Sequence, residues 1–303
     1  MKLIALVVGL LVERLATQLF HLRRLRWLDR IIDAGFRQAD RARSLPAIIP
    51  VLLLAVLLVS PVFLIMFVLG DTLYGFAYLV VAIIVLFFSL GPKDIGEQVD
   101  DYCEALEKGD DEAIMHAAKA LVERHVADDP PERIRQVEAA VCVQANNRLF
   151  AVVFWFVLLG PLGAWAYRVT DLVRRRAVFN DNRDDANTED GSAIVNATTT
   201  LHAWLAWIPA RLTALGYALA GSFDSAIAAW RSPDATPAGS PSEQSEHLLA
   251  RVGLAALALA PNDEESVSER GVRGARAANG LVFPLLGIWA VVIAAMTLYG
   301  ASL

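Results

Sequence analysis

Two apolar runs separated by a three-residue turn constrain this chain more than any other feature. Ala47–Leu69 and Leu73–Leu90 flank Gly70-Asp71-Thr72, and neither run carries a polar stripe. At about 1.5 Å per residue each run reaches across a hydrocarbon layer of roughly 30 Å, the second only just. A water-soluble core helix of that length would show a polar face. The pair therefore predicts a helical hairpin through a bilayer, with a kink at Pro61 that Ser60 and neighbouring helices can accommodate.

Composition agrees. The chain has 303 residues, 56% of them hydrophobic and 20% charged, with mean hydropathy +0.45, which is the balance of several membrane spans separated by polar loops. The net charge of −6 averages over segments of opposite sign and does not identify a partner. Cys103 and Cys142 read as small buried residues rather than a disulfide or metal pair. The expected class is all-α: a polytopic helical membrane protein with a small helical cytoplasmic lobe.

In chain order the expected segments are 1–45, an N-terminal membrane-associated helix with a basic flank; 46–90, the transmembrane hairpin; and 91–147, the cytoplasmic lobe. The arginines between His21 and Leu45 set the sidedness, because basic residues beside a span stay in the cytoplasm. The lobe reads as three amphipathic helices. Ile95, Val99, Tyr102 and Leu106 line the first, ending at Gly109. Ile114, Ala118, Leu121 and His125 line the second, opened by Asp110-Asp111-Glu112. Ile134, Val137, Val141 and Ala145 line the third, opened by Asp129-Pro130-Pro131-Glu132. Segment 148–222 holds a span candidate at Leu149–Tyr167, a polar loop at Asn180–Gly191 and an amphipathic stretch around Pro209-Ala210-Arg211-Leu212. Segment 223–280 is a linker and polar helical region, and 281–303 a closing span. Strict alternation of spans would put Arg174–Arg176 on the outer side. Either Leu149–Tyr167 is a broken or re-entrant element, or this loop departs from the charge rule.

Arg211 is the sharpest candidate for a ligand contact, since a charge in an apolar stretch costs roughly 3 kcal/mol unless paired or snorkelled. It reads equally as an anion contact, a buried ion pair, or an interfacial arginine in the headgroups. Asn146, Asn147 and Arg148, at the entrance to the Leu149 run, are the second candidate; such residues more commonly cap and anchor a helix end. Glu97, Asp100, Asp101 and Glu104 share a helix face, which reads as solvated. His116 and His125 lack zinc-ligand spacing, so no metal is expected. No phosphate-cradling or nucleophile motif occurs, and the basic residues lack the interleaved aromatics of a nucleic-acid surface.

Several short runs carry a family resemblance. They are Asn146-x-Arg148, Phe154-Trp155, Gly160-Pro161-Leu162-Gly163, Tyr167-Arg168, Trp207–Leu212 with Tyr217-Ala218-Leu219 and Gly221, and the terminal Thr297-Leu298-Tyr299-Gly300-Ala301. Together they resemble AmpE, an inner-membrane regulatory family associated with induction of chromosomal β-lactamase. The resemblance implies a multi-pass inner-membrane signalling modulator without catalytic residues or a cofactor. Its expected partners are the lipid bilayer and another membrane or cell-wall-recycling protein.

AmpE is itself similar to the CobD/CbiB synthases, which join aminopropanol or its phosphate to a corrinoid acid with ATP. ATP and Mg²⁺ enter only under that alternative. The departures weaken it: Gln144-Ala145-Asn146-Asn147-Arg148-Leu149-Phe150 lacks the acid and glycine of the synthase run, Val169–Val173 keeps at most Asp171, and His202-Ala203-Trp204 replaces an aspartate pair.

Overall fold

The computed structural model describes residues 26–41, 45–69, 76–90, 95–122, 125–183, 189–232, 241–260, 262 and 264–298. The expected turn at 70–72, most of the N-terminal helix and the terminal Tyr299–Ala301 lie outside them. Every regular element among the described residues is helical, as the sequence predicts. In order they are α1 (Arg26–Arg41), α2 (Ile48–Leu69), α3 (Phe76–Ser89), α4 (Ile95–Lys108), α5 (Asp111–Leu121) and α6 (Pro130–Ala145). A π-turn (Asn146–Phe150) precedes α7 (Ala151–Leu159) and α8 (Pro161–Arg183). Then come α9 (Glu189–Ala220), α10 (Phe223–Arg231), α11 (Pro241–Leu257), α12 (Val267–Gly280) and α13 (Val282–Leu298). Among the described residues three helical stretches are long and apolar enough to cross a membrane: Ile48–Val68, Pro130–Leu159 and Val267–Ala295. The chain is a helical membrane protein.

The residues form two compact units, 1–92 with 151–206 and 297–303, and 93–150 with 207–296. In the first unit α2, α3, α7 and α8 pack together and α1 lies on α2 and α8. Leu28, Ile32 and Phe36, one turn apart on α1, bury against Val51, Leu54 and Leu58 of α2 and Val169, Val173 and Ala177 of α8. Pro61 sits inside α2 and withholds the donor that Leu57 expects; Ser60 Oγ donates to the Leu57 carbonyl at 2.8 Å instead.

The Leu149–Tyr167 run is not one straight span. It breaks at Gly160, whose φ of +72° lies in the left-handed region. There α7 turns back into α8, and the two pack side by side. The contact depends on Gly163, where a β-carbon would stand 2.4 Å from the Trp155 carbonyl oxygen. The run is thus a broken element. The polar loop is shorter than Asn180–Gly191, because α8 runs on to Arg183 and α9 begins at Glu189.

In the second unit the three lobe stripes are buried as expected, save that α5 ends at Leu121 and leaves His125 beyond it. The caps are those the sequence predicts: Asp110 accepts from the Glu112 and Ala113 amides, and Asp129 from Glu132. Gly109, with φ +68°, closes α4. The three lobe helices do not close this core alone. α12 packs on α4 and α6, and α11 on α6 and α10, so the polar 223–280 region supplies core helices. Residues 233–240 of the expected linker lie outside the described residues.

Candidate functional site: two buried polar networks

The first network belongs to the second unit and contains three of the four residues singled out by sequence. The π-turn at Asn146–Phe150 inserts an extra residue per turn, and such bulges concentrate at functional positions. Here they set polar side chains inward. Asn146, Asn147 and Arg148 are all buried. Asn146 Nδ2 donates to Asn147 Oδ1, and Thr213 Oγ1 to Asn146 Oδ1, both at 3.0 Å. Arg148 donates to Oε1 of Gln144 at 2.9 Å and to Oε1 of Gln98. These glutamines donate to the Leu121 and Ala120 carbonyls at 3.5 and 3.4 Å. Those carbonyls belong to the last turn of α5, which has no further helical donors. The network thus ties α4, α5, α6 and the π-turn into one body.

Arg211 is elsewhere. Thr213 faces Asn146, and a residue two positions away on a helix points about 200° round the axis. Arg211 is half-exposed; its Nη1 donates to the Trp207 carbonyl at 3.0 Å and its guanidinium lies 3.9 Å from the centre of the Trp207 ring. The fold does not bring Arg211 together with Asn146, Asn147 and Arg148. Glu97, Asp100, Asp101 and Glu104 stay exposed, and among the described residues no His, Cys, Asp and Glu cluster suits a metal ion.

The second network, in the first unit, escaped sequence reasoning. Asp171 on α8 is fully buried and receives three arginines of its own helix: Arg168 Nη1 at 2.9 Å, Arg174 Nη2 at 3.3 Å and Arg175 Nε at 3.0 Å. The spacing of i−3, i+3 and i+4 makes this possible, since those positions share one face. His202 of α9 completes it, with Nε2 at 3.1 Å from Tyr167 Oη and 3.8 Å from Asp171 Oδ1. Arg176, next in the triplet, turns to α1 and grips Asp33 with both arms at 2.8 and 2.6 Å, while Asn180 Nδ2 adds a contact at 3.1 Å. These hydrogen bonds from Arg176, with the smaller help of Asn180, hold the Asp33 carboxyl below its ordinary range against its partial burial. The basic cluster Arg174–Arg176 is therefore consumed in ion pairs. The signal in the sequence was one aspartate amid arginines at helical spacing.

Fold and networks define a class: a helical membrane protein whose charged groups, buried between helices, lock those helices together. Over residues 1–303 the chain matches the family described as "Regulatory signalling modulator protein AmpE", and it belongs to that family. It is also similar to a cobalamin biosynthesis protein CobD of Stutzerimonas stutzeri, 26% identical over 163 residues, covering 51% of this chain and 52% of the relative. A CobD of Chromobacterium violaceum is likewise 26% identical over 167 residues, 52% of this chain and 51% of the relative. The chain spans about half the length of these curated relatives. No solved structure matches.

Proposed function

We propose that the chain is a multi-pass protein of the inner membrane that modulates β-lactamase induction, and that the Asp171 network is the element through which its membrane unit changes state. The whole-length match to the AmpE family carries the reading. A fully buried carboxylate shared by three arginines and approached by His202 supports the second part, because such a cluster has few arrangements and each favours one packing of α8 on α9. The turn at Gly160 supports a re-entrant α7–α8 hairpin, which returns the Arg174–Arg176 triplet to the side on which α7 begins, as the charge rule prefers. The partners on this reading are the bilayer and another membrane or cell-wall-recycling protein; no cofactor takes part.

The test is an induction reporter in cells carrying Asp171→Asn or Arg175→Gln at matched protein level. Altered induction with an intact membrane-inserted protein supports the role, and wild-type induction in both variants removes it. The similarity to CobD proteins favours a second reading, a synthase using ATP and Mg²⁺ through Arg211, Asn146 and the acidic face of Glu97, Asp100, Asp101 and Glu104. Rescue of a strain unable to make cobinamide phosphate would establish it. Asn146, Asn147 and Arg148 already bond to one another's neighbourhood, and Arg211 points away from them, which speaks for the modulator.

A further inference from the structure

The half of α9 that belongs to the second unit is built inside out for a protein in water. Its covered face consists of Ala210, Thr213, Ala214, Gly216, Tyr217 and Ala218, all buried. Its bare face carries Ile208, Leu212, Leu215 and Leu219, each between 42% and 57% exposed. Small residues toward neighbouring helices and large apolar ones outward is how helices pack in lipid, where close backbone approach rather than apolar burial drives association. In water the same face would leave a continuous apolar stripe unburied.

What covers the stripe follows from its neighbours. At Gly216 a β-carbon would stand 2.1 Å from Cδ1 of Leu285, so α9 presses directly on α13, within the apolar Val267–Ala295 stretch. α13 itself leaves Phe283 and Val291 exposed. The bare faces of both helices thus belong to one packed pair containing a candidate span. Arg211 lies near one end of the stripe, between Ile208 and Leu212. Among the described residues it has no carboxylate partner; its contacts are the carbonyl and ring of Trp207, one turn back. A guanidinium stacked on an indole sits most favourably at the headgroup level, where aromatic and basic side chains anchor membrane helices. From Arg211 to Leu219 the helix advances about 12 Å, which fits inside one leaflet.

We propose that residues 207–220 of α9 dip into one leaflet with Leu212, Leu215 and Leu219 against acyl chains and Ile208 at the headgroup boundary, and that Arg211, steadied by Trp207, binds the phosphate of an anionic lipid headgroup. The inference does not rest on the modulator role, and a synthase with this structure would share it.

The test uses the full chain in nanodiscs of phosphatidylcholine with or without phosphatidylglycerol, carrying a photoreactive residue at Leu215 or Leu219. Irradiation is expected to give lipid adducts, resolved by mass, at both positions. A cross-linked second copy, or no adduct, would overturn the lipid-facing assignment. In mixed discs phosphatidylglycerol adducts should exceed the bulk ratio by about five-fold, the weight of one basic residue near an anionic surface. Arg211→Gln should abolish that enrichment while adducts at Leu219 persist, which shows that the helix is still in place, and Arg211→Lys should keep part of it. Enrichment unchanged in Arg211→Gln would remove the phosphate contact. Free inorganic phosphate should not compete; if it does, the site takes soluble phosphate rather than lipid.

Discussion

Trp155 Nε1 donates to the carbonyl oxygen of Leu205 at 3.0 Å, and that carbonyl is the one Pro209, four residues on, leaves without its helical donor. The indole does for α9 what Ser60 does for α2. Trp165 Nε1 donates to the neighbouring Leu58 carbonyl at 3.0 Å, beside the Leu57 carbonyl that Pro61 frees and Ser60 satisfies. A carbonyl in lipid or in a packed core has no water to turn to, so each proline is tolerated because a side-chain donor stands at the freed oxygen. Trp155→Phe keeps the ring and removes the donor. It is expected to lower stability by about 1–3 kcal/mol, read as a lower unfolding midpoint in detergent, because a buried acceptor is left unpaired. Trp155→Phe combined with Pro209→Ala should recover most of the loss, since the helix then supplies its own N–H.

The turn at Gly160 imposes its own demand on Gly163. A β-carbon there would meet the Trp155 carbonyl oxygen at 2.4 Å and Leu159 Cβ at 2.7 Å, and backbone cannot yield as a side-chain tip can. Gly163→Ala should destabilise by roughly 1–3 kcal/mol through overpacking. Gly280→Ala, with nothing within 4 Å of the added carbon, is the matched control and should change little beyond helix propensity. Comparing thermal midpoints of the two separates the close approach from a general effect of alanine.

Much of this architecture was legible in advance because helix periodicity is local. The lobe stripes, Asp110 and Asp129 as caps, and the stop at Gly109 follow from residues a few positions apart. The break at Gly160 could be suspected but not chosen, since a glycine inside an apolar run serves equally as a helix contact. What stayed hidden depended on distant residues. Arg176 looked like a topogenic charge until Asp33, 143 positions away, was found in its grip. Asp171 looks in the sequence like a remnant of a family motif, because Arg174 beside it reads as an orientation signal and Arg168 as part of the same family run. Asn146 and Arg148 were found by sequence, but their partners Thr213 and Gln98 were not, as hydroxyl and amide residues carry no pattern of their own.

Asp171 is the residue whose loss the first unit should tolerate least. Asp171→Ala leaves three guanidinium groups crowded in a space with little water, and breaking a buried pair from one side typically costs about 3–5 kcal/mol. Arg175→Gln, at the most exposed corner of the cluster, should cost far less. Protease resistance of the purified protein in detergent checks the order. Equal resistance of the two variants would show that the cluster does not hold the helices.

The Asp33–Arg176 pair predicts a pH dependence with a definite sign. The Asp33 carboxyl is held below its ordinary range in the folded protein, chiefly by hydrogen bonds from Arg176. Its contribution to stability is therefore complete above the unfolded value of about 3.9 and is lost as pH falls through the lower folded value. Asp33→Asn should lower the unfolding midpoint by a constant amount from neutral pH down to the region of the unfolded value. Below it the difference from wild type should shrink toward zero, because the wild-type carboxyl is then protonated as well. A gap that instead widened on acidification would mean that Asp33 gains its proton on folding, contrary to a carboxylate clasped by both arms of Arg176 at 2.8 and 2.6 Å.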